Sequence, residues 1–192
     1  MRISYYSAGD QIPPPGLVAA WYKIGDVATE RAPFWAAHWI ADGLDGDALA
    51  ILAGMDGSDP HEVRDVMAAA LADTRTAIPH EISDAVTIVY RDLARLHLAD
   101  EISARELIFK IAELIETGHH AGDYLDQPLG VANGLDYEWT CDHCRTPEEL
   151  ATVVHDACLA QIGQQPDPHP PVESSENPPV PTSPRVQNNQ ES

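Results

Sequence analysis

The sequence predicts an all-α fold, a small bundle of about six helices with a long ordered loop and a disordered C-terminal tail. Three observations predict it. Apolar residues recur at steps of three and four over most of the first 163 positions, the spacing of one helix face. Helix-start residues stand in front of those runs. The last 29 residues hold eight prolines among Ser, Gln, Asn and Glu, too little apolar surface to offset the entropy of ordering. The chain therefore divides into an irregular N-terminal arm (1–15), a helical domain (16–163) and a Pro-rich tail (164–192).

Within the arm, Pro13-Pro14-Pro15 predicts extended chain. A short helix follows over Leu17–Ile24, and a second over Thr29–Ala41 carries Trp35 and Trp39 one turn apart. Large aromatics at that spacing predict core packing. Asp42-Gly43-Leu44-Asp45-Gly46-Asp47 has the composition of a calcium loop. Its acids fall at the wrong relative positions and Ala53 stands where the bidentate Glu is needed. The segment reads instead as a turn, with Asp45 capping a short helix to Ala53. Asp59-Pro60 with Glu62 marks the next start, for a helix to about Thr74.

The chain is organised around a helical hairpin from Pro79 to Thr117. Its first helix, about His80–Leu98, carries Ile82, Val86, Val89, Leu93 and Leu96 on one face. Its second starts after Ser103, whose pairing with Glu106 is a capping box, and Gly118 is a natural stop. The short link predicts antiparallel neighbours. From His119 to Trp139 no helical period persists, which predicts an ordered loop with short turns. Thr146-Pro147-Glu148-Glu149 opens the last helix, which ends at Gly163.

The formal charge is -20 over 192 residues. The tail has four acids and one Arg, so -3 lies there and -17 on the rest. Such a surface repels nucleic acid and anionic membrane and suits a basic protein partner. No run of about 18 apolar residues and no signal-peptide pattern occurs, so the expected location is cytoplasmic. The sequence leaves the oligomeric state open. Phosphate loops, dinucleotide fingerprints, nucleophile elbows and HExxH are all missing, so no catalytic residue and no organic cofactor is assigned.

One segment has chemistry to offer. Cys141-Asp142-His143-Cys144, with His155 and Cys158, spells C-x2-C-x10-H-x2-C, the composition of a structural zinc site. Geometry opposes the full set. Cys158 lies twelve residues past Thr146, or about 18 Å along a helix, and two extended residues from Cys144 recover about 7 Å. The Cα atoms then stay roughly 11 Å apart, too far for one zinc. The zinc alternative therefore uses Cys141 and Cys144 with His119 or His120, and only secondarily His155 and Cys158. Without metal, the pair is two thiols near a turn and Cys158 is core. Trp139 ahead of the C-x-x-C is similar to disulfide oxidoreductases, but both cysteines precede the helix cap and no β-α-β pattern surrounds them. An enzyme site in the 119–144 loop is the remaining alternative.

The stretch from Phe34 to Ile162 resembles uncharacterised small helical proteins of high-GC actinobacteria. The residues carrying this are Trp39-Ile40-Ala41-Asp42-Gly43, Leu49–Leu52 before Gly54, Asp65 and Arg145-Thr146-Pro147-Glu148-Glu149-Leu150. Ile102-Ser103-Ala104-Arg105-Glu106-Leu107 is similar to a helix start in colicin-D-type immunity proteins. That resemblance implies a small acidic helical bundle that occupies the cationic cleft of a nuclease. The expected function is a non-enzymatic, acidic protein-binding module.

Overall fold

The computed structural model describes residues 12–117, 121–141 and 143–163. Among these there are nine α-helices and no strand: α1 (Pro15–Ile24), α2 (Ala32–Ala41), α3 (Asp47–Ala53), α4 (Pro60–Asp73), α5 (Ile82–Leu98), α6 (Ala104–Thr117), α7 (Ala121–Leu125), α8 (Leu135–Trp139) and α9 (Pro147–Gly163). A 3-10 turn, Pro128–Ala132, joins α7 to α8. The expected tail at 164–192, most of the arm and the Gly118 stop lie outside the described residues.

Helix α5 is central, but not as one half of a closely packed hairpin. It lies against α1 on one side and α9 on the other, and meets α6 at only a few positions. Its buried residues Ala85, Val86, Val89, Tyr90, Leu93 and Ala94 serve both neighbours. Asp100, at φ 59°, ends the helix in the left-handed region, and Glu101 N–H returns to the Leu96 carbonyl. Helix α6 packs instead with α7, α8, α9 and the 3-10 turn. Its capping box forms as the sequence predicts. Ser103 N–H donates to Glu106 Oε2 at 2.9 Å, and Glu106 N–H donates to Ser103 Oγ at 3.2 Å. The Thr146–Glu149 box opens α9 in the same way, at 2.8 and 3.2 Å.

Several expected starts differ: α2 begins at Ala32 rather than Thr29 and α5 at Ile82 rather than His80. Pro15 is not extended but takes the first position of α1, where its missing N–H costs nothing. Asp45 does not cap α3; Gly46 stands at that position. The acceptor comes from α4, whose Asp73 Oδ2 takes the Leu49 N–H at 2.9 Å. A Cβ on Gly46 would collide with the Asp73 side chain. A tertiary contact thus replaces a local cap.

Trp35 and Trp39 are buried as their spacing predicts. Trp35 packs on Trp21 with ring centroids 5.8 Å apart, and Trp39 Nε1 donates to the Pro13 carbonyl at 2.9 Å. The segment after α6 is more ordered than expected: its described part folds into α7, the 3-10 turn and α8. Each is five residues long, too short for a helical period to show. Tyr124, Leu129, Ala132 and Leu135 are buried there. A polar latch closes the segment on α5 and α9. Gln161 is fully buried; its Oε1 accepts from Leu129 N–H at 3.2 Å and its Nε2 donates to Gln127 Oε1 at 3.0 Å. Thr87 Oγ1 donates to the same Gln127 oxygen at 3.1 Å.

Candidate functional site: an acidic corner and a cysteine turn

Between positions 42 and 73 stand eight acids and one Arg, a local charge of -7. The packing of α2 on α3 and of α3 on α4 gathers these segments into one corner. Asp42, Asp45, Asp47, Asp56, Asp59, Glu62 and Asp65 are all exposed there. Some of this charge serves the helices. Asp59 caps α4, accepting from His61 N–H at 2.8 Å and Glu62 N–H at 3.4 Å. Asp47 and Glu62 sit in first turns, where negative charge is favoured. Hydrogen bonds from Ser58 hold the Asp56 carboxyl below its ordinary range. The one cation, Arg64, is turned toward α1 and donates from Nη2 to the Gly25 carbonyl at 3.2 Å. The corner therefore presents negative charge to solvent with its single cation drawn aside.

The cysteine segment lies between α8 and α9. Cys141 and Cys144 are joined by a disulfide, with Cα atoms 5.4 Å apart. This corrects the expectation of two free thiols at a turn. A C-x-x-C turn brings its Cα atoms within the span a disulfide needs. In this state neither sulfur is a thiolate, the form in which cysteine ligates zinc. Arg145 clamps the same turn to Glu138, with Nε and Nη2 donating to the two carboxylate oxygens at 2.7 and 2.6 Å. That pairing lowers the Glu138 carboxyl and raises the Arg145 guanidinium from their ordinary values.

The remaining sequence candidates are dispersed. His119, His120 and Asp142 lie outside the described residues. His143 is exposed on the turn. His155 and Cys158, one turn apart on α9, part company: His155 is exposed, whereas Cys158 is fully buried and its thiol is pushed up to about 12 by burial. Among the described residues no group of three or more His, Cys, Asp or Glu side chains could hold a metal ion. No described helix is long and apolar enough to cross a membrane.

Sequence reasoning missed an ionic cluster around a buried lysine. Lys110 on α6 is only 5% exposed. Burial lowers its ammonium from the usual range, and the carboxylates of Glu113, Asp26 and Glu106 oppose that shift. Asp26 also faces Tyr124, whose phenol is raised to about 12, chiefly by burial. Tyr124 meets Tyr90 edge to face, 6.2 Å between centroids. The position of Lys110, three residues after Leu107 and four before Leu114, was the available signal, since a lysine inside an apolar stripe needs a partner. The cluster fastens the end of α1 to α6 and α7.

Comparison with protein-family models, with curated proteins and with solved structures finds no match to this chain.

Proposed function

We propose that this chain is a non-enzymatic acidic protein-binding module, an immunity-like inhibitor of a basic partner protein. The observation that carries this reading is the α2–α4 corner, with seven exposed acids and its one arginine drawn toward α1. Three of those carboxylates stand on α3 and α4 and four on the short connections between α2, α3 and α4, so the packing of these helices limits how much of the field is lost to reordering when a cationic face approaches. The same field repels nucleic acid and anionic membrane.

The test takes the basic proteins encoded next to this gene, one at a time, and measures their binding to the full chain at low and high salt. One of them is expected to bind, and to lose affinity as salt screens the charges. Asp42→Asn/Asp45→Asn/Glu62→Gln/Asp65→Asn is expected to weaken that complex at least about tenfold, mainly through a slower association rate. These positions avoid the Asp59 cap, so the fold is retained. The reading fails if none binds, or if the quadruple variant binds as the parent does.

A further inference from the structure

His97 stands in the last turn of α5 and His155 midway along α9. The packing of these helices brings the two imidazoles to 6.3 Å between centroids, at 72°. Both rings line an open cavity of about 440 Å³, whose wall also includes Leu98, Asp100, Ala151 and Thr152. His97 Nδ1 lies 3.1 Å from the Ile102 carbonyl oxygen. A carbonyl only accepts, so Nδ1 carries the proton and donates it. In the neutral ring Nε2 is then left with its lone pair. Proteins orient metal-binding imidazoles in this way, with a backbone carbonyl holding the N–H so that the other nitrogen is presented to the ion.

We propose that His97 and His155 form an open, two-histidine site for a divalent transition-metal ion of the zinc or nickel class. Imidazole suits these ions, and water fills the other coordination positions. Two imidazoles bound at about 2.0–2.1 Å place their centroids on the order of 5 Å apart. The observed spacing closes to that by a shift of roughly 1 Å, which the exposed His155 can make. Asp100 adds negative charge to the same cavity wall. With two protein ligands the site is weaker than a closed structural zinc cage. It is independent of the acidic corner and of the Cys141–Cys144 turn.

The experiment is calorimetric titration of tag-free, oxidised full-length protein with zinc chloride near neutral pH. The parent is expected to take about one ion per chain at this site. His97→Gln and His155→Gln are each expected to weaken binding at least about tenfold. The Cys141→Ser/Cys144→Ser variant is expected to bind as the parent does. His155 is exposed, so His155→Gln keeps the fold even if His97→Gln loses the Ile102 contact. Circular dichroism checks this, and zinc is expected to raise the melting temperature of the parent but not of His155→Gln. No zinc binding by the parent overturns the proposal. So does parental affinity in His155→Gln, or a loss confined to the cysteine variant.

Discussion

At the scale of single residues, buried polar atoms separate into those with partners and those without. Trp21 Nε1, Trp35 Nε1 and the Tyr90 hydroxyl are buried with no hydrogen-bond partner among the described residues. Gln161, equally buried, uses both ends of its amide. The two kinds respond oppositely to removal, because an orphaned group has already lost its water and has nothing further to lose. Tyr90→Phe is therefore expected to leave stability unchanged or raise it slightly in urea unfolding. Gln161→Leu leaves the Leu129 N–H stranded and is expected to cost about 1–3 kcal/mol in the same assay. Cys158 follows the same logic of burial. Its thiol, raised to about 12, is expected to stay inert to a thiol reagent at pH 8 in native protein, while reduced Cys144 reacts. The residue type signalled none of this; a glutamine in the last turn of a helix reads as surface until the fold places Leu129 beside it.

At the scale of elements, helix ends are where sequence and structure agree best and where strain is stored. Four helices end with a left-handed residue and a hydrogen bond back across six residues, at Gly25, Gly43, Arg75 and Asp100. Glycine makes this conformation without strain, whereas Arg75 at φ 60° sets its Cβ against its own backbone. Arg75→Gly is expected to raise unfolding free energy by up to about 1 kcal/mol, the strain relieved being partly offset by a freer unfolded chain. Thr146→Ala removes the N-cap of α9 and is expected to cost about 1 kcal/mol. Starts with a local signature, Ser103–Glu106, Asp59 and Thr146–Glu149, were legible because both partners lie within one turn of chain. The start of α3 was not, because its acceptor is Asp73, on the neighbouring helix. The 3-10 turn was hidden for a related reason. Gly130 is required because a Cβ there would stand 2.7 Å from the Tyr124 carbonyl oxygen, a contact the sequence around it does not announce.

At the scale of the whole molecule, titration of the interior governs the alkaline limit. Burial raises the phenols of Tyr90 and Tyr124 and the thiol of Cys158, so each is more easily ionised in the unfolded chain. The unfolded state then binds fewer protons, and stability falls as pH rises. For Tyr124 the contribution is fully present below about 10 and is lost as pH passes through about 12. Melting temperature is expected to drop steeply across that window, with tyrosinate absorbance from the buried pair rising only on unfolding. Tyr124→Phe is expected to flatten the fall. A drop of equal slope in Tyr124→Phe would place the alkaline limit elsewhere.

The sequence by itself determined the class of this protein and the position of its long helices, because periodicity and capping act within a few residues. It also determined the acidic charge, since charge is additive. Only the tertiary structure decided which helices pack together. It set α5 between α1 and α9 rather than along α6, a choice made by how side-chain surfaces fit. It gathered acids from α3, α4 and the connections before them into one corner. And it brought His97 to His155 across 58 positions of chain, a proximity that depends on the packing of α5 on α9 and on no local pattern in either helix.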